Sequence, residues 1–416
     1  MKQTNKLVPE LRFPEFMKDG EWEIKTVSEV AYYENGKAHE QDIVINGKYK
    51  VVNSKFISTD GEVVKYTNEA LCLANKNDTL MLLSDVPNGR AIAKCFYVDK
   101  NNVYTVNQRI CKLTPFEING KILYYLLNRN PYFLAFDDGV KQTNLKNEDV
   151  LNCEIALPKK TKDHKEQQKI ADCLSSLDEL ITAHNDKLEA LKNHKRGLLQ
   201  NLFPQEGQKV PNYRFPEFVN DGEWKKEKFS HYIKLFRGSS PRPIQEYLTN
   251  DATGINWIKI GDTKNAINSV ISKVEEKITI NGSKKSRKVK KGELILANSM
   301  SFGKTYEIAV DGCIYDGWFV LREYEEFFHK PFLLQLLNSS YMQTQYERLS
   351  AGGIVQNISS DIVYNTVIFC TSLQEQKKIA EILSAVDNLI TAQTEKIEQL
   401  KMHKKGLMQG LFPKTD

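Results

Sequence analysis

HKRGLLQNLFP, residues 194–204, returns near the end of the chain as HKKGLMQGLFP, residues 403–413. The repetition extends well beyond these eleven residues. LRFPEF at 11–16 returns as YRFPEF at 213–218, and DGEW at 19–22 returns at 221–224, so Arg214 minus Arg12 gives an offset of 202. EQQKIADCLSSLDELITA from Glu166 returns as EQKKIAEILSAVDNLITA from Glu375, an offset of 209. The chain is therefore two copies of one plan, about 204 and 212 residues long, with matching ends and middles that barely match. A period this long belongs to duplication of a whole unit, not to a solenoid.

The composition bounds what such a chain can be. With 416 residues, 41% hydrophobic and 27% charged, it has material for two or three ordinary cores and is too long for one domain. It carries no apolar run long enough for a membrane span, and MKQTNKLVPELRF lacks the apolar centre of a secretory signal, which makes the cytoplasm the expected location. Seven scattered cysteines show no C-x-x-C pair or metal-ligand spacing and are expected to be reduced, mostly buried thiols. A net charge of +5 permits a polyanionic partner without requiring one.

The repeated C-terminal words predict long helices. Apolar residues fall at Ile170, Leu174, Leu177, Ile181, Leu188, Leu191, Leu198 and Leu202, interrupted by His184 and Lys195. The second copy places Ile379, Leu383, Val386, Ile390, Ile397, Leu400, Leu407 and Leu411 likewise, interrupted by Gln393 and Lys404. Alternating steps of four and three are a coiled-coil seam, in which polar residues fix register and partner. Gly197 and Gly406 each cost roughly 1 kcal/mol inside a helix, so a break or a close backbone approach is expected there. The closing proline is the simple reason for the helix to stop. Residues 166–202 would span roughly 55 Å as a helix. The short connector that follows favours antiparallel pairing, which makes the chain resemble an isologous dimer fused end to end, with a globular domain at each end of a helical rod.

The fold class expected is α/β (α+β). Two mixed domains, residues 1–160 and 205–370, alternate with helices over 161–204 and 371–416. TLMLLS at 79–84, AIAKCFYV at 91–98 and ELILANS at 293–299 read as strands, and KILYYLLN at 121–128 and FLLQLLN at 332–338 as matching helices. Each middle closes on a glycine and a glutamine, in GVKQTNL at 139–145 and GGIVQNI at 352–358.

Catalytic motifs fail on inspection. NPYF at 130–133 is near the loop with which amino-methyltransferases hold an amine, but it lacks one proline and the chain contains no G-x-G. FGKT at 302–305 ends like a phosphate loop, yet Asn298 stands where its first glycine should be. Neither zinc spacing nor a catalytic elbow is present.

Binding signals fare better. In KKSRKVKK, residues 284–291, six of eight residues are basic, which suits phosphates. NGR at 88–90, NQR at 107–109 and KQTN at 141–144 set amides beside cations, the side chains that read purine edges in the major groove. The expected DNA-facing residues are Arg90, Gln108, Arg109, Lys141, Gln142 and Asn144 in the first domain. In the second they are Lys284, Lys285, Arg287, Lys304, Gln356 and Asn357.

The frame words PELRFPEF, DGEW, EQQKIADCLSSLDELITA and HKRGLLQNLFP, together with INWIKIGDTKN and KITINGSKKSRKVKKGELILANS in the second middle, resemble the specificity subunit of a type I restriction-modification system. The resemblance covers almost the whole chain. It implies that each middle is a target recognition domain reading one half of a split site in double-stranded DNA; independently, two readers held on one helical rod would meet half-sites about 10 base pairs apart, centre to centre. It further implies that the helices set the spacer and dock two modification (methyltransferase) subunits, that restriction subunits complete an ATP-dependent nuclease, and that this chain is not itself catalytic. S-adenosylmethionine, ATP and Mg would then belong to the partner subunits and no cofactor to this chain. The reading of the residues alone also leaves open a coiled-coil adaptor that binds protein without reading DNA.

Overall fold

Two helices dominate the secondary structure, Lys165–Asn201 and Leu373–Leu411, and both take in the duplicated words. The computed structural model describes residues 7–87, 89, 91–159, 164–299, 303–350 and 358–413. These divide into two units. The first comprises residues up to Thr182 together with those from Glu398 onward, and the second runs from Ala183 to Ile397. Each long helix thus gives one stretch to each unit.

The first unit carries a five-stranded sheet in the order Ile43–Val44, Lys65–Thr67, Tyr49–Val52, Tyr104–Val106, Leu73–Ala74. Beside it in the chain stands a four-stranded sheet ordered Ala31–Asn35, Ile110–Pro115, Thr79–Leu82, Cys95–Tyr97. The second unit repeats the first of these strand for strand, as Leu248–Thr249, Glu276–Ile278, Ile255–Ile258, Gly312–Ile314, Arg287–Val289. Its other sheet runs Lys234–Arg237, Trp318–Arg322, Leu294–Ala297, Thr305–Ile308, with Val270–Ile271 added at the edge. Even the parallel pairing falls in the same place, Tyr49–Val52 with Tyr104–Val106 and Ile255–Ile258 with Gly312–Ile314. The middles that barely match in sequence share one topology.

A central strand explains why so little sequence is needed to specify it. Thr79–Leu82 and Leu294–Ala297 are buried at every position. Successive side chains leave a strand on opposite faces. Met81 accordingly enters one core and Leu80 and Leu82 another, while Leu294 and Leu296 part from Ile295 and Ala297 in the same way. Any apolar residue of fitting size serves in such a wall. Of the expected strand at 91–98 only Cys95–Tyr97 forms. Ala93 takes a positive φ of 53°, and Lys94 O accepts from Leu82 N, so the chain bends before it pairs. The expected helices form as Gly120–Leu127 and Lys330–Leu337.

The frame words make one joint, built twice. Arg12 grips Glu166 with two hydrogen bonds of 2.7 and 2.8 Å and reaches Gly20 O at 2.6 Å; Arg214 does the same with Glu375 at 2.8 and 2.9 Å and with Gly222 O. One residue on, Gln167 accepts from Asn119 N and Gln376 from His329 N, both at 2.8 Å, fastening the start of each short helix to the long one. The closing LFP has its partner in DGEW. Phe412 meets Trp22 edge to face at 6.2 Å and Phe203 meets Trp224 at 6.4 Å.

Each unit shows the antiparallel sense of the two helices by itself. In the first, Ile170 and Leu174 share a core with Leu407 and Leu411; in the second, Leu198 and Leu202 share one with Ile379 and Leu383. Leu177, Ile181, Leu188, Leu191 and Ile390 are half-buried, and Val386, Ile397 and Leu400 are buried. The polar seam residues are all matched. Lys195 pairs with Asp387 at 2.6 Å and Lys404 with Asp178 at 2.5 Å, while Gln393 donates to His184 O at 2.7 Å. His184 and Gln393 are equivalent positions of the repeat, so there the helices meet as in a symmetric antiparallel pair. The expectation at Gly197 and Gly406 is corrected. Both helices run through them unbroken, and a Cβ at either would meet nothing within 4 Å.

Candidate nucleic-acid interface

In each unit the two sheets feed a corner of loops, and a glycine lets those loops cross. Gly36 N donates to Ile110 O at 2.9 Å, and a Cβ on Gly36 would lie 2.1 Å from Asn107 O. Gly238 N donates to Trp318 O at 2.8 Å, and its Cβ would lie 1.9 Å from Tyr315 O. No side chain fits either crossing. The next bonds also correspond: Lys37 N to Val106 O and Ser239 N to Ile314 O, then Leu83 N to Arg109 O and Asn298 N to Gly317 O, then Leu145 N to Leu83 O and Ile358 N to Asn298 O.

In the first unit this corner gathers most of the expected residues. Arg109 lies on one side of the Leu83–Asp85 segment through its carbonyl, and Asn144 pairs with Ser84 on the other. Gln108, Arg109, Lys141, Gln142 and Asn144 are all exposed. Gln142 Nε2 donates to Asn144 Oδ1 at 3.2 Å, and Gln108 Nε2 reaches Glu40 Oε1 at 3.3 Å. Asp138 shapes the loop by accepting from Lys141 N and Val140 N, and those backbone bonds hold its carboxyl below the usual range. Ser84 Oγ and Asn107 Oδ1 are buried without a hydrogen-bond partner among the described residues. Sequence pattern alone does not select Ser84, which the fold brings to the corner by pairing it with Asn144. Arg90 lies outside the described residues.

In the second unit the same corner is a cleft of about 500 Å³, lined by Arg237, Asn298, Ser299, Tyr315, Asp316, Ser359 and Tyr364 among others. An adjoining cavity of about 690 Å³ shares Tyr315 and is walled by Arg242, Trp257, Lys259 and Glu276. Asp316 organises the rim. It accepts from Ser240 Oγ at 2.6 Å, and that bond, helped by Arg242 and Arg237, holds its carboxyl below the usual range against the effect of burial. Asn298 Nδ2 donates to Asp316 O at 2.8 Å.

The basic run is tied to this rim, and it does not hang free. Lys285 O accepts from Ser239 Oγ at 3.2 Å, and its ammonium stands 4.8 Å over the Tyr247 ring. Arg287 is half-buried, donates Nε to Arg237 O at 3.1 Å and stacks on Phe236. Lys284 is exposed, its Nζ donating to Asn281 Oδ1 at 3.3 Å. Lys304 is exposed in the hairpin after Leu294–Ala297, its carbonyl accepting from Ala297 N at 2.8 Å. Gln356 and Asn357 lie outside the described residues.

Six of the seven cysteines are buried, and none is in a disulfide. Among the described residues no cluster of His, Cys, Asp or Glu is arranged to hold a metal ion, and no helix is long and apolar enough to cross a membrane.

Known proteins of the same kind are found on every comparison. The family described as the type I restriction modification DNA specificity domain matches residues 19–193 and again 223–402. The type I restriction enzyme MjaVIII specificity subunit of Methanocaldococcus jannaschii is 26% identical over 425 residues, covering 97% of this chain and 93% of the relative. A second protein of that organism, the putative MjaX specificity subunit, is 24% identical over 303 residues, 71% of this chain and 68% of its own length. In fold, the crystal structure of the type I S subunit from M. genitalium matches with a TM-score of 0.60 at 17% identity, over 98% of this chain and all of the other. A chain from a solved type I R-M system matches at 0.58 and 16%, over 94% and 97%. With a doubled frame, two alike sheet units and a family match over each, this chain belongs to the type I restriction-modification DNA specificity family and is the specificity subunit of such a system.

Proposed function

We propose that this chain reads a bipartite, asymmetric target in double-stranded DNA, one half through the loop corner of each unit, and that the long helices set the spacer and dock two modification (methyltransferase) subunits. One observation carries the asymmetry. The corners are built by corresponding backbone bonds, yet Leu83, Gln108 and Arg109 stand in the first where Asn298, Asp316 and Gly317 stand in the second. One scaffold presenting different polar groups reads different base edges.

Arg109, Gln142 and Asn144 in the first unit, and Arg237, Asn298 and Lys304 in the second, are the base-reading candidates. Lys141, Lys284, Lys285 and Arg287 are the phosphate anchors, which position the protein without specifying sequence. Arg90, Gln356 and Asn357 are assigned to the same surfaces by their sequence context. In this reading the chain has no catalytic group of its own. S-adenosylmethionine, ATP and Mg are held by partner subunits, restriction subunits join in the full complex, and the site of action is the cytoplasm.

The test is methylome sequencing of cells expressing this chain with its modification subunit. A split motif, one half of which changes when one unit's middle is exchanged, is the expected result. No new methylation from a stable complex would overturn the reading.

A further inference from the structure

The rim of the second unit's corner carries a carboxylate among its cations. Asp316 lines the cleft with Arg237, and both Arg237 and Arg242 are exposed beside it. Phosphates repel a negative charge, so an acidic group on a surface that meets DNA needs a donor to justify its place. That place is the one Gln108 holds in the first unit, since Leu83 N donates to Arg109 O and Asn298 N to Gly317 O, each one residue further on.

Contacts within the described residues use only part of this carboxylate. Oδ1 accepts from Ser240 Oγ at 2.6 Å, and Oδ2 has Arg242 at 3.5 Å, a pairing in which the arginine side chain stays 81% exposed and the aspartate 40%. An ion pair so open to water contributes little. A carboxylate offers about four acceptor sites, so capacity remains. The Ser240 bond, against the effect of burial, lowers the pKa of the group, which therefore accepts and never donates at neutral pH. Its backbone is fixed as well, because Asp316 O accepts from Asn298 Nδ2 at 2.8 Å and from Arg237 Nε at 3.4 Å.

An acceptor that cannot donate tells the bases apart in the major groove. Cytosine presents its N4 amine there with no acceptor beside it, whereas adenine sets N7 next to its amine, guanine shows O6 and N7, and thymine shows O4. Each of the last three turns a lone pair toward a carboxylate. We infer that Asp316 is a specificity-determining residue, accepting a hydrogen bond from the N4 amine of one cytosine in the second unit's half-site, while Arg237 meets O6 and N7 of the guanine paired with it. The inference rests on the proposed reading of one half-site by each corner, and names the base that one corner selects.

The test uses the full chain with the modification subunit of its own system. Methylome sequencing first supplies the half-site controlled by the second unit's middle, which should contain a cytosine. In duplex titrations, replacing that cytosine by 2-pyrimidinone, which lacks only the amine, should weaken wild-type binding about tenfold. Asp316→Asn keeps an oxygen for Ser240 and puts a donor in place of the remaining acceptor. It should lose a similar factor on the natural duplex, lose nothing more on the analogue, and methylate sites with other bases at that one position. Ser240→Ala removes the rim bond but leaves the carboxylate, and should still require the amine. A purely structural Asp316 would instead blur several positions and leave Asp316→Asn as sensitive to the analogue as the wild type, which would overturn the inference. So would a half-site without cytosine, or a wild-type protein indifferent to the analogue at every cytosine, whether or not a variant folds. All three leave the split reading standing. A wild-type complex that methylates no split motif would overturn that reading itself.

Discussion

Arg12 and Glu166, 154 residues apart, are locked by two near-parallel hydrogen bonds at side-chain exposures of 5% each, and Arg214 and Glu375, 161 residues apart, repeat the lock at 9% and 1%. The guanidinium fork matches the carboxylate, and a third nitrogen takes a backbone carbonyl, so neither charge is stranded. This is why RFPEF and EQQK or EQKK return together: each word is half of one joint.

Removing one partner leaves a buried charge uncompensated. Glu166→Ala or Arg12→Ala should each destabilise the first unit by about 3–5 kcal/mol, whereas an apolar double replacement of similar volume should cost far less. Denaturant unfolding of the single variants and the pair, read as a double-mutant cycle, checks this, and Arg214 with Glu375 should return the same pattern.

Asp178 and Asp387 each hold a seam lysine and a side chain from a domain helix, Tyr125 in one unit and Gln335 in the other. Asp387→Ala should cost about 1–3 kcal/mol by leaving two donors unpaired, and Asp178→Ala a similar amount. Unequal losses in thermal unfolding would show that the two ends of the seam are not equivalent.

Gly36→Ala and Gly238→Ala drive a methyl group into a carbonyl oxygen, so each should open its loop crossing at a cost on the order of 1–3 kcal/mol. In the methylome, Gly36→Ala should blur one half of the target and Gly238→Ala the other. Loss of both halves together from either change would count against independent reading.

Lys284→Glu with Lys285→Glu should weaken binding at all DNA sequences alike and lower the salt slope by about 0.9 for each phosphate that is no longer neutralised. Asn298→Ala should instead relax one base position with little change in slope. Titration at several salt concentrations, on target and non-target duplexes, separates the two behaviours.

Asp316 sets a pH dependence. Its carboxyl is depressed first by the Ser240 hydrogen bond, so the stability it lends is present above the unfolded value of about 3.9 and is lost as pH falls through the lower folded value. The stability difference between wild type and Asp316→Asn should therefore be flat from pH 7 to 5 and shrink below about pH 4. A difference that stays constant as pH falls below about 4 would mean the depression is absent.

Much of this molecule is written locally. The apolar spacing from Ile170 to Leu202 and from Ile379 to Leu411 determined the two helices, their seam and its polar interruptions, because a helix side chain's direction follows from its position alone. The paired frame words determined that the plan is duplicated, and the family resemblance was legible from them. What only the tertiary structure decided is why those words pair and that the dissimilar middles share one topology. Buried strands ask for apolar volume and a period of two, which many sequences satisfy, so Thr79–Leu82 and Leu294–Ala297 need no common residue. The loop corner is likewise unwritten in any one segment. It exists because Gly36 and Gly238 let chain separated by some 70 residues cross at van der Waals distance, and an approach of that range is set by the whole fold rather than by neighbours in sequence.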